Sequence, residues 1–279
     1  MVRSYRLLVA CLALGCSSSK PPASDPSPTE CSAPGYPSDS APVTVDQVEA
    51  SLRDASGAPV AGLPIQVCGL NQCFTDSSGP SGKVNVTPHA DLLRPAFKYG
   101  DGFDFAELAV LLGSDATQNL GALVALPLPS FSEGAAFPKS GDVTNGEVTL
   151  RVAPGTTVSH DRLTYADDSE LVLRSVPIPI AQSEQALDPS FGFELAFALA
   201  PLGTRFCPAA QLRLKNSLAW ASGSAVEVFV QGLDVNEKWA PYGSWVKVAD
   251  ALVSSDGSRI ETTQGGIPIL SSIALRRKP

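Results

Sequence analysis

Apolar side chains recur at every second position through most of this chain, and that period of two constrains the fold more than any other feature. Val48, Ala50 and Leu52 fall on one face of segment 47–53, with Gln47, Glu49, Ser51 and Arg53 on the other. Segments 147–152, 211–215 and 226–231 alternate likewise, and 191–199 sets large apolar groups against small or polar ones. Successive strand side chains point to opposite faces, so this pattern covers one face of a sheet and cannot line one side of a helix. Segment 191–199 therefore reads as a strand with one face in a core. In the first half only 91–93 and 107–112 offer a helical turn. The 23 Gly and 24 Pro of the 279 residues punctuate the strands, with hairpin signals at Asp256-Gly257 and around Pro241-Tyr242-Gly243. The expectation is an all-β chain with two β-sandwich domains.

The N-terminus carries an address. Arg3 and Arg6 precede an apolar run from Leu7 to Gly15, too short to span a bilayer, which needs about 20 residues, and suited to a signal-peptide core. The run ends Ala13-Leu14-Gly15-Cys16, which resembles the bacterial lipobox with Ala in place of its usual first Leu. That resemblance implies cleavage before Cys16, lipidation of Cys16, and a membrane partner held through that lipid. The competing box ending at Cys11 leaves only four apolar residues before it. Ser17, where an Asp resembles an inner-membrane retention signal, favours the outer membrane. The stretch from Ser17 to Pro42 holds eight Ser and seven Pro; it cannot bury a core and reads as an extended tether. The expected organisation is a signal peptide over 1–15, a tether over 16–43, a first sandwich over 44–129, a linker over 130–140 and a second sandwich over 141–279.

Of six cysteines, cleavage and acylation consume Cys11 and Cys16, leaving four for two disulfides in an oxidising compartment. Cys68 and Cys73 flank what reads as a hairpin tip and are paired here; Cys31 and Cys207 pair by default, which would turn the tether into a docked strap.

The formal charge of −8, moving to −10 once Arg3 and Arg6 are removed, argues against a nucleic-acid partner, which needs clustered Lys and Arg. Arg276-Arg277-Lys278 reads as a frayed basic tail. Two histidines, His89 and His160, lie far apart in sequence, so no metal or other cofactor is expected. Ser159-His160-Asp161 holds three catalytic residue types, but neighbours on a strand point to opposite faces, whereas a triad converges from separate elements. Asp101, Asp104 and Glu107, and Asp167, Asp168 and Glu170, are carboxylate groups without the spacing of a calcium loop. Trp239, Tyr242 and Trp245 are candidate ligand contacts, with core packing as their ordinary role.

Two resemblances follow from particular residues. Segment 53–67, with Pro59-Val60-Ala61-Gly62 before an alternating strand, and then Thr75-Asp76-Ser77-Ser78-Gly79, resembles the carboxypeptidase regulatory-like module. This implies a transthyretin-like sandwich without catalytic residues, with Gly62 and Gly79 at positive φ or close approach and Asp76 bonded to its own turn. The second half, with Leu150-Arg151-Val152-Ala153-Pro154-Gly155, Pro201-Leu202-Gly203-Thr204, Trp239 and 253–260, is similar to bacterial relatives of the ZU-five β-sandwich. This implies an interaction or display role. The expected protein is a non-catalytic envelope lipoprotein, not an enzyme, that serves binding, adhesion or scaffolding with an envelope protein or glycan as partner. The alternative is an envelope hydrolase or carbohydrate-binding lipoprotein with its site on the second domain.

Overall fold

The structure is a computed structural model that describes residues 32–36 and 41–278. The chain is all-β, as its patterning predicts. Its first half contains β1 (Pro42–Val45), β2 (Gln47–Arg53), β3 (Pro64–Cys68), β4 (Cys73–Ser77), β5 (Lys83–Val86), β6 (Ala90–Leu93), β7 (Ala96–Tyr99), β8 (Leu108–Leu111) and β9 (Thr117–Val124). Three small sheets result: β1 with β6, β5-β2-β9, and β4-β3-β7-β8. Strand β2 pairs antiparallel with β5 and parallel with β9. Its Val48, Ala50 and Leu52 are buried against Ile65, Val67, Phe97, Leu108 and Val110 of the four-stranded sheet. The two candidate helical turns are strands β6 and β8 instead, because each finds a pairing partner in β1 and β7.

Turn chemistry fixes the strand ends. The Asp54 carboxylate accepts the backbone N–H groups of Ser56 and Ala58, both at 2.9 Å, and that of Asp76 accepts the N–H of Ser77 at 2.8 Å. Gly62 has φ +73°, as its resemblance implies, but Gly79 takes no positive φ. The demanding position in that turn is Gly82, at φ +73°, where a Cβ would lie 2.3 Å from the Leu52 carbonyl oxygen.

The second half adds β10 (Ala135–Ala136), β11 (Gly141–Asn145), β12 (Val148–Val152), β13 (Thr157–Ser159), β14 (Val172–Pro177), β15 (Leu195–Ala200), β16 (Arg205–Lys215), β17 (Ala225–Gln231), β18 (Trp245–Val253), β19 (Arg259–Gly265), β20 (Ile267–Ile269) and β21 (Ile273–Arg277). They form one large sheet ordered β10-β14-β15-β21-β17-β18-β19-β16-β12-β11, with β13 and β20 both paired to β16. The sheet nearly closes on itself. At the seam the Asn145 side chain of β11 accepts the Ser175 N–H of β14 at 2.8 Å and donates to the Glu133 carbonyl at 2.8 Å, replacing missing ladder bonds with side-chain ones. Among the described residues one α-helical turn, α1 (Glu184–Leu187), and four short 3-10 turns interrupt the strands. Among the described residues no helix is long and apolar enough to cross a membrane.

Strand β15 departs from the one-faced reading of 191–199: the strand proper begins at Leu195, and both its faces are buried. Phe197 and Leu199 pack into the core enclosed by the large sheet. Ala196, Ala198 and Ala200 pack into the core of the first half. Its neighbours divide in the same way. Val226, Val228, Ile273 and Leu275 face the second core, while Phe229 and Ala274 join the first core alongside Ile178, Leu187, Phe193 and Trp245. The alternation of large and small is thus a record of two cores sharing one sheet. Nor is the C-terminus frayed: Arg276 pairs with Glu227 at 2.9 Å and Arg277 with Glu194 at 2.8 Å as β21 runs between β15 and β17.

Candidate functional site

The two halves are clamped where the loop 100–103 meets β14. Arg174 is the largest side chain buried below 2% exposure. Its guanidinium donates to the carbonyls of Gly102 (3.0 Å), Phe103 and Pro129 (3.2 Å), and lies 3.9 Å from the centroid of the Phe131 ring. Burial lowers its pKa, and the fields of nearby acidic groups partly offset this. The buried Tyr165 donates to the Gly102 carbonyl at 3.3 Å and accepts the Leu202 N–H at 3.0 Å; burial pushes its phenol up to about 12. Gly102, at φ +72°, has no room for a Cβ, which would lie 2.8 Å from the Tyr165 hydroxyl. Farther along, Gln231 of β17 donates to the Ala109 carbonyl of β8 at 2.8 Å and to that of Ala186 at 3.0 Å, where the indole of Trp245 also donates.

Between these fastenings lies a cleft of about 280 Å³, walled by Lys98 and Glu107 from the first half and by 159–165, 202–205, 231–237 and 269–271 from the second. Lys98 Nζ and Glu107 Oε2 are 2.9 Å apart and largely buried. Burial nonetheless raises the Glu107 carboxyl above its ordinary range, Lys98 opposing and the Asp101 and Asp234 charges assisting. His160 Nδ1 and the Thr204 hydroxyl share a hydrogen bond of 3.0 Å. Burial, with the Arg162 charge, lowers the imidazole pKa against the opposing pull of Asp168, which favours the neutral ring. Arg205 lies 3.8 Å from Glu237. Asp161 accepts the Leu163 N–H at 3.0 Å and the Thr164 hydroxyl at 2.7 Å, so the loop is pre-ordered without a ligand. The arrangement can hydrogen-bond a small polar molecule from both walls at once.

The residues singled out from sequence are dispersed. Cys68 and Cys73 form a disulfide across the end of the β3–β4 hairpin. Cys207 is disulfide-bonded; Cys16 and Cys31 lie outside the described residues, as does the signal peptide. The tether residues that are described do dock. Gly35 donates to the Lys238 carbonyl at 3.2 Å and the Tyr36 hydroxyl to that of Trp239 at 3.1 Å, beside an apolar groove with Phe206, Val248 and Pro268. Trp239, Tyr242 and Trp245, the candidate ligand contacts, are not brought together on one surface. Trp245 is buried in the first core and Tyr242 packs against Cys68 and Ala96, while half-buried Trp239 lines the tether groove. The turn at Pro241 forms, with Ser244 donating to its carbonyl at 3.0 Å, but inside a longer connection. Ser159, His160 and Asp161 all border the cleft, yet His160 bonds Thr204 and Asp161 bonds its own loop, so they make no triad. Asp101 accepts the N–H groups of Phe103, Asp104 and Phe105, while Arg162 holds Asp168 at 2.7 Å. Among the described residues no group of three or more His, Cys, Asp or Glu is placed to hold a metal ion.

Sequence reasoning missed Arg174, Gln231 and the cleft's two ion pairs. For Arg174 the only signal is an arginine inside the apolar run 171–176.

No protein-family model and no curated protein matches the chain. Solved structures that match include a crystal structure of a candidate carbohydrate-binding protein from Bacteroides uniformis, at 9% identity over 84% of this chain and 80% of that one, with a TM-score of 0.23. A likeness that remote supports neither a shared fold nor a shared ligand.

Proposed function

We propose that the protein is a non-catalytic, lipid-anchored binding protein of a bacterial cell envelope, favouring the outer membrane, and that the cleft between its halves is its ligand site. The observation that carries this reading is the cleft's construction. Polar groups from both halves converge on one concavity whose walls are fixed by buried hydrogen bonds, which is the pre-organisation a small-ligand site requires. The ligand class is a small polar envelope component, a glycan or peptide fragment. The lipobox-like segment ending at Cys16 supports the anchor, and the two module resemblances, neither matched by a family model, support the absence of a reaction.

Calorimetric titration of the purified full chain with envelope-derived glycan and peptide fragments tests the site. Saturable binding that is lost when Leu202→Trp fills the cleft is the expected result, and binding indifferent to that substitution overturns it. Cys16→Ser is expected to move the protein from the membrane to the soluble fraction; retention at the membrane overturns the anchor. A second reading, an envelope hydrolase, draws on one observation: a carboxyl held above its ordinary range in a cleft is how a general acid is prepared. Hydrolysis of an envelope glycan that disappears in Glu107→Gln would favour it.

A further inference from the structure

We infer that the tether is a positioning element of the cleft: residues 34–36 hold from behind the loop 234–239, which gives the cleft wall its Asp234 and Glu237. The inference rests on the reading that the cleft is a ligand site, and goes beyond it to what fixes the site's outer wall. Glu237 lines the cleft, and its side chain is only 8% exposed. Its Oε2 lies 3.8 Å from Arg205, while Oε1 accepts the N–H groups of Lys238 at 2.7 Å and Trp239 at 2.8 Å. The carbonyls of the same two residues go to the tether. Gly35 donates its N–H to that of Lys238 at 3.2 Å, and the Tyr36 hydroxyl donates to that of Trp239 at 3.1 Å. Among the described residues those carbonyls accept no other hydrogen bond. The peptide joining Lys238 to Trp239 is a rigid trans plane, so its carbonyl and its N–H point in opposite directions. One end of that plane is held by the tether and the other holds the Glu237 carboxylate.

A second contact fastens the tether to the same wall. Pro34 and Tyr36 share an apolar groove with Phe206, Trp239, Val248 and Pro268. In β16, Phe206 follows Arg205, the residue facing Glu237, and is followed by Cys207. Cys207 is disulfide-bonded, Cys68 and Cys73 bond each other, and the remaining cysteines all precede Ser32. The tether is therefore fixed to β16 beside the cleft's own arginine. The loop has less to hold it from its own side. Asp234, Asn236 and Lys238 are exposed, and the bonds from Glu237 N–H to the Asp234 carbonyl and from Asn236 N–H to the Asp234 carboxylate stay inside the loop. A wall that must be ordered when a ligand arrives costs affinity, whereas a wall already held does not. The coupling is reciprocal: a ligand that favours the held wall also favours the seated tether. Tyr36, which meets the loop through both its ring and its hydroxyl, is the positioning residue.

The test uses the purified full chain and two measurements. Hydrogen exchange read by mass spectrometry follows segments 32–36 and 234–239, and calorimetry follows the envelope-derived glycan and peptide fragments that bind the wild type. Tyr36→Ala is expected to speed exchange across 234–239 severalfold while leaving β17 protected, because only the loop is released. The same variant should weaken fragment binding severalfold. Tyr36→Phe keeps the ring in the groove and loses only the hydroxyl, so it should lie between wild type and alanine. In the reverse direction, a saturating fragment should slow exchange at 32–36 in the wild type, a response that a merely structural contact would not give. Exchange at 234–239 unchanged in Tyr36→Ala, or raised equally throughout the chain, overturns the inference. Fragments that bind Tyr36→Ala as tightly as the wild type also overturn it, while leaving the cleft a ligand site. If no fragment binds in a way that Leu202→Trp abolishes, the reading of the cleft falls and this inference falls with it.

Discussion

Arg174→Met should destabilise the whole chain, and the size of the effect follows from what the guanidinium touches. Its loss strips the donor from the Phe103 and Pro129 carbonyls, while Gly102 keeps the Tyr165 hydroxyl. A fully buried carbonyl left without a donor costs about 1–3 kcal/mol; these two are only part-buried, so together they cost about 1–3 kcal/mol. The contact with the Phe131 ring, made out of solvent, adds about 2 kcal/mol. Against this, methionine removes a cation that has no carboxylate within ion-pairing distance, and relief from burying such a charge amounts to several kcal/mol. The relief is incomplete because the partners are main-chain carbonyls that no substitution at 174 can remove. The net expectation is a loss of about 1–3 kcal/mol, a sizeable share of the roughly 5–15 kcal/mol that holds a domain together. Equilibrium urea unfolding followed by tryptophan fluorescence reads it as a lowered midpoint. Arg174→Lys should fall between the two, since one ammonium cannot serve three carbonyls and stack on a ring. A methionine variant as stable as the wild type would refute the claim that this arginine fastens the halves.

Three further outcomes are expected. Breaking the Cys68–Cys73 bridge by Cys68→Ala with Cys73→Ala should cost about 2 kcal/mol, the loop-closure entropy of so short a loop, and non-reducing peptide mapping should recover Cys68 joined to Cys73 and Cys207 joined to Cys31. Glu227 would be raised by burial, but hydrogen bonds and charge from Arg276 and Lys247 hold it below its ordinary value. Its stabilising contribution is therefore present above the unfolded carboxyl's pKa and lost as pH falls through the folded one. The gap in melting temperature between wild type and Glu227→Gln should accordingly close on acidification, and a gap that widens would contradict the assignment. Ala198→Leu should cost about 1–3 kcal/mol by overpacking the face of β15 turned to the first half, visible as a lowered urea midpoint.

Much of the strand content was legible because burial is written locally in β2: its outer face meets solvent, so polar and apolar residues alternate cleanly. The β18–β19 turn was announced by Asp256-Gly257, with Gly257 at φ +71°. What stayed hidden depends on partners distant in the chain. Ala196, Ala198 and Ala200 look like the idle face of a strand until the first half is laid against them. Lys98, Glu107, His160, Arg205, Asp234 and Glu237 come from strands and loops with no shared motif, so no spacing could gather them into one cleft. Trp245 reads equally well as a ligand contact or as core, because a tryptophan announces nothing in sequence about which side of a wall it stands on.

The division of β15 between two cores has a consequence for how such a chain can be inherited. A segment that ends at residue 140 is a unit of sequence, but its inner surface was shaped against alanines that lie more than fifty residues beyond it. Exchange of the second half for that of another protein would have to supply the same shallow strip at β15 and β21 and the same bulky Phe193, Phe229 and Trp245 beside it. Recombination at the seam is therefore penalised, and the two halves are constrained to change together.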